Sequence, residues 1–249
     1  MSETRTALIT GGGSGIGAAV AQRLSAQGVR VAIIGRTREK LEAVADSIAE
    51  NGHDKPLILP ADQSNESEVT EAVGRTVEAF GSIDFLFNNA AVYEQGTTCD
   101  ATLESWDRTL SINVRGPVLL CRAVVPVQRR QQFGVIVNNS STLGIKPLGG
   151  YSAYSVSKAA LLTLTRCLAL EEAANGIRVL AICPGVVDTP IHGSSEESKE
   201  FLEKIAKFHP LGRNGTADEV ARLVEYLASD NASWMTGSVI SIDGGIALT

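Results

Sequence analysis

The 249-residue sequence is poor in aromatic side chains, which make up 5% of it, whereas 44% of its residues are hydrophobic and 20% are charged. This balance excludes a wholly disordered chain and predicts a globular core packed mostly by aliphatic side chains. No internal repeat, low-complexity tract or Pro/Gly-rich linker divides the chain. We therefore expect a single domain over residues 1–249.

An excess of positive charge is also missing, since 22 Lys and Arg residues face 28 Asp and Glu residues, for a formal net charge of −6. Without a global positive field, the chain is not expected to bind nucleic acid or an anionic membrane. The longest uninterrupted apolar stretches are too short to cross a bilayer, and the opening Met-Ser-Glu-Thr-Arg lacks the apolar centre of a signal peptide. We predict a cytoplasmic protein.

Sequence spacings typical of metal sites are absent as well. Cysteines stand only at Cys99, Cys121, Cys167 and Cys183, and histidines at His53, His192 and His209. No Cys-x-x-Cys pair occurs, and no histidine neighbours a cysteine. We therefore expect no metal ion and interpret the cysteines as buried free thiols.

Short aliphatic segments alternate with longer helical patterns along the chain. Strands are predicted over residues 7–9, 29–34, 56–59, 83–87, 135–137, 179–182 and 238–242. Helices are predicted over residues 16–26, 38–49, 66–80, 106–130 and 152–173. Such alternation is typical of βαβ units, and continuously apolar strands are expected where helices cover both faces of a parallel sheet. We predict an α/β fold with a doubly wound, Rossmann-type parallel sheet of about seven strands.

A glycine-rich turn separates the first predicted strand from the first predicted helix. It reads Thr-Gly-Gly-Gly-Ser-Gly-Ile-Gly from Thr10 to Gly17. Glycines permit a tight turn and a close approach of the backbone to a pyrophosphate, whose charge the N-terminus of the following helix stabilises. The lysine of an ATP-binding loop is missing, which argues against an ATPase. The turn therefore predicts a nucleotide site.

Tyr154 and Lys158 lie four positions apart within a helical pattern, so their side chains share one face of the helix. A free tyrosine has a pKa near ~10, which is too high for ready proton exchange at neutral pH. A lysine charge about 5 Å away, in an effective dielectric of about 20, contributes roughly 3 kcal/mol, or about two pKa units. We expect Lys158 to lower the pKa of Tyr154 and make it a general acid or base.

Further motifs follow one another along the chain. They are Asn88-Asn89-Ala90-Ala91, Asn113 in the long helical pattern, Ser140-Ser141, the turn from Pro184 to Thr189, and Ile242-Asp243-Gly244-Gly245. Together with the Thr-Gly-x-x-x-Gly-x-Gly turn and the Tyr-x-x-x-Lys pair, they resemble the short-chain dehydrogenase/reductase family over nearly the whole chain. Ala91 departs from the pattern of that family, in which glycine is usual at this position.

The resemblance implies an oxidoreductase that acts on CH–OH groups and interconverts a ketone and a secondary alcohol with a nicotinamide cofactor. In this family Tyr154 would exchange the proton, and Ser141 would stabilise charge on the reacting oxygen. Asn113 would stabilise a helix distortion that holds a water and links Lys158 to solvent. The catalytic candidates are therefore Asn113, Ser141, Tyr154 and Lys158. The substrate stays open among a 3-oxoacyl thioester, a sugar or polyol, and a cyclic ketone.

The resemblance also assigns cofactor contacts: the glycine turn to the diphosphate, Asp62 to the surroundings of the adenine, and the Pro184–Thr189 turn to the nicotinamide carboxamide. The cofactor-binding candidates are Gly11, Ser14, Gly15, Ile16, Gly17, Arg36, Thr37, Asp62, Asn89, Tyr154, Lys158, Pro184, Gly185, Val187 and Thr189.

The end of the second predicted strand bears on the choice of cofactor. An acidic residue there would bind the ribose hydroxyls of NAD and repel the extra phosphate of NADP. This sequence has Arg36 instead, with Arg38 close by, and a guanidinium forms charge-assisted hydrogen bonds with phosphate. We predict a preference for NADP(H), with NAD(H) as the alternative; a solvated basic start to the next helix would explain the same residues.

Two other functions compete with the main prediction. An enoyl reductase is suggested by Tyr151, which has six residues between it and Lys158, although the intact glycine turn and the spacing of thirteen from Ser141 to Tyr154 argue against it. A dinucleotide-binding sensor without turnover is the second alternative, because a fold does not dictate function. The complete set of catalytic candidates argues against this second alternative.

The apolar pattern also predicts an assembly and a lid. Helix 152–173 carries more apolar residues than one buried stripe needs, with Leu161, Leu164 and Leu168 in one row. By resemblance, such helices pair in a dimer, and two dimers form a homotetramer through the last strand. Residues 189–210 are expected to form a substrate lid with a mobile centre, and an ordinary surface helix is the alternative. The apolar face of this lid would be Ile191, Phe201, Leu202, Ile205 and Phe208.

The role of Tyr154 can be tested by removing its hydroxyl group. Tyr154→Phe should lose nearly all turnover, by about 100-fold or more, while cofactor affinity stays almost unchanged, because only the transferable proton is lost. Steady-state kinetics and a cofactor titration measure the two effects. Retention of more than about a tenth of the wild-type kcat in a chemistry-limited assay would exclude Tyr154 as the acid or base.

Overall fold

The computed structural model describes residues 5–193 and 195–249. Residues 1–4, which include most of the segment inspected for a signal peptide, lie outside the described residues. So does Ser194, in the middle of the predicted lid.

Seven parallel strands form one sheet, in the order β3-β2-β1-β4-β5-β6-β9. They are β1 Thr6–Thr10, β2 Arg30–Gly35, β3 Leu57–Pro60, β4 Phe85–Asn88, β5 Gly134–Asn139, β6 Ile177–Pro184 and β9 Val239–Ile242. The chain adds β2 and β3 on one side of β1 and then returns to place β4 on the other side. At such a reversal the connections diverge and leave a crevice beyond the carboxyl ends of the strands.

Helices cover both faces of the sheet. They are α1 Gly15–Ala26, α2 Arg38–Glu50, α3 Glu66–Phe80, α4 Leu103–Leu110, α5 Gly116–Gln131, α6 Ser152–Glu172, α7 Glu196–Ala206 and α8 Ala217–Ala228. Successive β1 residues point to opposite faces: Ala7 and Ile9 join a core with α1, α2 and α8, whereas Leu8 joins a core with α3, α5 and α6. The predicted two-sided burial of the strands, and with it the fold class, is confirmed.

One helix and two short strands were missed by the sequence analysis. Helix α8 begins with a capping box, in which the hydroxyl of Thr216 accepts from the Glu219 amide and the Glu219 carboxylate accepts from the Thr216 amide. Thr216 and Glu219, three positions apart, form a capping-box pattern that is visible in the sequence. The short strands β7 Val187–Asp188 and β8 Gly215–Thr216 pair with each other outside the main sheet, and two-residue strands leave too little pattern to predict.

The predicted helix over residues 106–130 is longer than expected and changes its winding. The helical segment runs from Leu103 to Gln131, and Ser111–Arg115 forms a π-helical turn between α4 and α5. Within the described residues this is the one segment long and apolar enough to cross a membrane, with a mean hydropathy of 1.4 in its most apolar window. Because 56% of that window is buried inside the fold, the segment has the character of a core helix. The sequence analysis missed this segment because it considered only uninterrupted apolar stretches.

Candidate functional site

A cavity of about 750 Å³ opens at the carboxyl ends of the strands. Most of the predicted site residues line it: Gly11, Ser14, Gly15, Ile16, Arg36, Thr37, Asp62, Asn89, Ser141, Tyr154, Lys158, Pro184, Gly185, Val187 and Thr189. The two that do not are Gly17 and Asn113, which lie directly behind the lining. The volume falls within the usual range for small-molecule sites.

The glycine turn is shaped to bring its backbone close to a ligand. Gly11 and Gly15 have φ values of +66° and +54°, a region that L side chains rarely adopt. A Cβ at Gly17 would stand 2.3 Å from the Gly11 carbonyl oxygen, so only glycine lets α1 begin here. The side chain of Ser14 does not cap α1. Free amides at the start of a helix, beside a cavity, fit the diphosphate of a dinucleotide.

Basic side chains stand at the far end of the cavity from Tyr154. Arg36 lines it and lies close enough to Asp62 to act on its carboxylate. Partial burial favours the neutral acid, but hydrogen bonds from Ser64 and the charge of Arg36 outweigh it and lower the pKa of Asp62. Arg38, expected to add a second charge, instead pairs with Glu42 at 3.6 Å and is not among the cavity residues, whereas Lys40 is.

Tyr154, Lys158 and Ser141 come together at the centre of the cavity wall. The Ser141 side chain lies close enough to the Tyr154 hydroxyl to act on its pKa, and Lys158 Nζ lies 5.4 Å from the centroid of the Tyr154 ring. Lys158 is only 2% exposed and donates to the Asn139 carbonyl oxygen over 2.7 Å. The strand β5 and the helix α6 thus hold all three side chains in contact with the cavity.

The expected lowering of the Tyr154 pKa is wrong for this structure. Burial raises the pKa of Tyr154 to about 12, although the nearby Ser141 side chain opposes it. Burial also lowers the pKa of Lys158 to about 8. The expectation counted the attraction between the two charges and omitted the loss of hydration, which disfavours the charged form of each group.

Asn113 occupies the π-helical turn, where a helix distortion was expected. Its Oδ1 accepts from the Val92 amide at 2.9 Å, and its Nδ2 donates to the Val92 carbonyl and to the Ser157 hydroxyl. Gln63, which the sequence analysis did not single out, donates to the Ile112 carbonyl and to the Ala90 carbonyl. These amides tie the distorted helix to the segment that follows β4.

The turn from Pro184 to Thr189 is fixed on several sides. Gly185 donates its amide to the Ile242 carbonyl of β9 at 3.1 Å, and a Cβ at Gly185 would meet the backbone of Asp243 at 2.9 Å. Thr189 packs against Gly15, since a Cβ there would lie 3.2 Å from Thr189 Cβ. The turn therefore closes the cavity beside the start of α1.

Aromatic side chains surround the space beside Tyr154. The Tyr93 ring stacks on Tyr151 at 5.3 Å between centroids and meets Tyr154 edge to face at 5.0 Å. His192 packs against Tyr93 and Phe201, and burial lowers its pKa. The sequence analysis singled out neither Tyr93 nor His192, because no spacing rule links these positions to Tyr154.

The predicted lid contains a short turn, Pro190–His192, and helix α7. Four of its five predicted apolar residues line the cavity: Ile191, Phe201, Ile205 and Phe208. Leu202 does not; its carbonyl instead accepts a hydrogen bond from the Asn214 side chain. The segment thus forms one wall of the aromatic space.

The cysteines are free, but the expectation that all are buried is wrong: Cys121 and Cys183 are buried, whereas Cys99 and Cys167 are exposed. Within residues 5–193 and 195–249, no three His, Cys, Asp or Glu side chains are grouped so that they could hold a metal ion.

Comparisons with known proteins match nearly the whole chain. A family model described as enoyl-(acyl carrier protein) reductase matches residues 11–247. The 2-(R)-hydroxypropyl-CoM dehydrogenase of Xanthobacter autotrophicus is 38% identical, over 97% of this chain and 98% of its own. The levodione reductase of Leifsonia aquatica is also 38% identical, over 97% of this chain and 93% of its own.

Solved structures share the fold closely. The crystal structure of levodione reductase superimposes with a TM-score of 0.95, at 37% identity and 98% coverage of both chains. A short-chain type dehydrogenase/reductase from Mycobacterium marinum has a TM-score of 0.92 at 34% identity, over 97% of this chain and 95% of its own. A 3-ketoacyl-(acyl-carrier-protein) reductase from Brucella melitensis, complexed with NADH, also reaches 0.92 at 32% identity, over 99% of this chain and its whole length.

The burial of Lys158 should make stability depend on pH. The pKa of Lys158 is lowered to about 8 in the folded protein, whereas it is near ~10.4 in an unfolded chain. Below pH ~8 the lysine is charged in both states, and its buried charge lowers the free energy of unfolding. Above pH ~10.4 it is neutral in both states, and this penalty is absent. Relative to Lys158→Met, the wild type should therefore gain on the order of 1–3 kcal/mol of unfolding free energy between pH ~7 and ~10.5.

Urea denaturation of both proteins across this range measures the difference. Lys204→Met is the control, since Lys204 lies on the surface of α7 with its side chain 76% exposed, and it should show no such trend. A constant difference between wild type and Lys158→Met at all pH values would contradict the expectation.

Proposed function

Because this chain belongs to the short-chain dehydrogenase/reductase family and is an oxidoreductase that interconverts ketones and alcohols with a nicotinamide cofactor, we propose that Tyr154 exchanges the proton of this reaction. Ser141 binds the reacting oxygen, and Lys158 and Asn113 support Tyr154. The contact between the Ser141 and Tyr154 side chains at the cavity wall carries this proposal. Two hydroxyl groups side by side can both donate to one carbonyl oxygen.

In the direction of reduction, the substrate carbonyl oxygen lies between the hydroxyls of Ser141 and Tyr154. When bound, the reduced nicotinamide supplies the hydride to the carbonyl carbon. Tyr154 gives its proton to the oxygen as negative charge develops there, and Ser141 stabilises that charge. The raised pKa of Tyr154, about 12, keeps the phenol protonated at neutral pH, which suits the donor role.

Recovery of the proton requires a path from Tyr154 to solvent. Lys158 lies beside the ring, and its ammonium supports the phenolate left after transfer. Asn113 sits in the π-helical turn behind Lys158 and Tyr154 and contacts Ser157 on the same helix. In our proposal, this turn holds the water that returns a proton through Lys158 to Tyr154.

For the cofactor we propose NADP(H), with NAD(H) as the weaker partner. Arg36 and Lys40 both line the adenosine end of the cavity, and within the described residues Arg36 has no salt bridge of its own. Two cations at one end of a pocket favour the extra phosphate of NADP. Asp62 lies near Arg36, and its negative charge moderates the preference.

Cofactor choice can be tested with single charge removals. Arg36→Ala and Lys40→Ala should each lower kcat/KM with NADPH by about 10-fold or more, because a charge-assisted hydrogen bond contributes roughly 1.5–3 kcal/mol, and should change kcat/KM with NADH little. Arg38→Ala is the matched control, because Arg38 pairs with Glu42 outside the cavity. Equal losses with NADPH and NADH would mean that neither residue recognises the phosphate.

For the substrate we propose a compact, largely apolar ketone. The space next to Tyr154 is bounded by Tyr93, Tyr151, Leu143 and Phe201, and the exposed Lys146 stands at its rim. A sugar needs many hydrogen-bonding partners, and the apolar Leu143 and Phe201 side chains of this lining offer none. A cyclic ketone fits better than a polyol, and the mouth leaves room for a short 3-oxoacyl chain.

An enoyl reductase is the second candidate, because the matching family model carries that description. Such an enzyme would rely on Tyr151 rather than on Tyr154. Tyr151 lines the cavity and stacks on Tyr93, whereas Tyr154 is the tyrosine that contacts Ser141 and Lys158. This arrangement favours attack at a carbonyl group, and we keep Tyr151 as a wall of the substrate space.

A substrate panel tests the proposal directly. Purified enzyme with NADPH should reduce cyclohexanone and its alkyl-substituted forms with a higher kcat/KM than a ketose or a crotonyl thioester. Tyr154→Phe should remove this activity, and Tyr151→Phe should retain most of it. Faster turnover of the crotonyl thioester that depends on Tyr151 would support the enoyl reductase instead.

We further propose that the chain functions as a single-domain subunit of a cytoplasmic homotetramer, which light scattering can test. Val156, Ala160 and Leu164 follow one another at four-residue intervals on α6 and stay exposed or half-buried, so a dimer partner would cover them. β9 is an edge strand, and the nearby Trp234 is fully exposed. Both features suit a second contact between subunits.

A further inference from the structure

His209 is a buried histidine that does not line the cavity. It is 2% exposed and follows the lid helix α7. Its Nε2 accepts a hydrogen bond from the Val186 amide at 3.3 Å. An amide N–H can only donate, so Nε2 is the acceptor in this contact.

The backbone around His209 is held firmly. Its amide donates to the Ala206 carbonyl at the end of α7, and its carbonyl accepts from the Gly212 amide at 2.7 Å. Leu211 donates to the Gly244 carbonyl beyond β9. Gly244, at a φ of +56°, packs flat against the imidazole, where a Cβ would lie 3.4 Å from the His209 side chain. The His209 ring is therefore held in one position.

Val186 lies in the middle of the Pro184–Thr189 turn, and its amide is the group that His209 fixes. The flanking Gly185 amide is bound to Ile242, and the Val186 carbonyl accepts from Gly215 at 2.9 Å. The hydrogen bond from Val186 to His209 thus links this turn to the segment that follows α7, which we call the base of the lid. Losing it would leave the backbone around Val186 held by the hydrogen bonds to Ile242 of β9 and Gly215 of β8.

We propose that His209 is a positioning residue for the nicotinamide: it sets the Val186 peptide and so the face that the Pro184–Thr189 turn presents to the ring. This rests on the proposed function, in which that turn binds the nicotinamide carboxamide. His209 touches neither cofactor nor substrate, and it joins the lid base to the nicotinamide end of the cavity.

The test separates the nicotinamide end from the rest of the cofactor. Calorimetry gives the affinities of the protein for NADPH and for 2′-phospho-ADP-ribose, which lacks the nicotinamide; NADH and ADP-ribose replace them if the wild type prefers NADH. His209→Gln can place an amide oxygen near the position of Nε2, whereas the shorter side chain of His209→Asn cannot reach Val186. Both variants are neutral amides, so burial costs them similar amounts.

His209→Asn should weaken NADPH binding by about 10-fold, as expected for the loss of one hydrogen bond. Its affinity for 2′-phospho-ADP-ribose should stay within about 2-fold of wild type, and His209→Gln should recover most of the NADPH affinity. Equal weakening of both ligands, or equal behaviour of the two variants, would overturn the proposal and leave His209 a merely structural residue.

The wild type provides a separate check on the underlying assignment. Its affinity for NADPH should exceed that for 2′-phospho-ADP-ribose, because the nicotinamide contributes contacts of its own. Equal wild-type affinities would contradict the role of the Pro184–Thr189 turn itself, and the proposal would fall with it. If the wild type meets this expectation and the affinities of the variants do not meet theirs, only the role of His209 is contradicted.

Discussion

A run of hydrogen bonds across the carboxyl edge of the sheet connects the glycine turn to Lys158. Asn89 Nδ2 donates to the Thr10 carbonyl at 2.9 Å, Asn139 Nδ2 donates to Asn89 Oδ1 at 2.9 Å, and Lys158 Nζ donates to the Asn139 carbonyl at 2.7 Å. These residues come from β1, the end of β4, β5 and α6. Because parallel strands end at the same edge, segments far apart in sequence become neighbours there, and the run fixes their relative positions.

Placing the site at this edge of the sheet costs folding free energy. Tyr154 and Lys158 are both removed from water, which raises one pKa and lowers the other. A buried polar group is tolerable only with partners, and Ser141 and the Asn139 carbonyl supply them. The fold therefore holds Tyr154 and Lys158 side by side away from water.

Much of this could be predicted from local patterns. Continuously apolar strands gave the fold class, and the glycine sequence predicted a tight turn between β1 and α1, because periodicity and the need for positive φ are properties of short segments. The Tyr154 to Lys158 spacing predicted that both side chains share one face of α6, and both line the cavity. Helix α8 was missed although Thr216 and Glu219 form a capping-box pattern in the sequence. Arg38 was named as a second charge and Lys40 was not, because sequence proximity does not say which way a helical side chain points.

What the sequence determined by itself was therefore the set of chemical groups and the segment that carries each one. Only the tertiary structure decided their surroundings: the burial that raises the pKa of Tyr154, the aromatic wall of Tyr93 and His192, and the contact of His209 with Val186. Those contacts join residues that are distant along the chain. Hydration and non-local packing depend on the whole fold, and no local pattern encodes them.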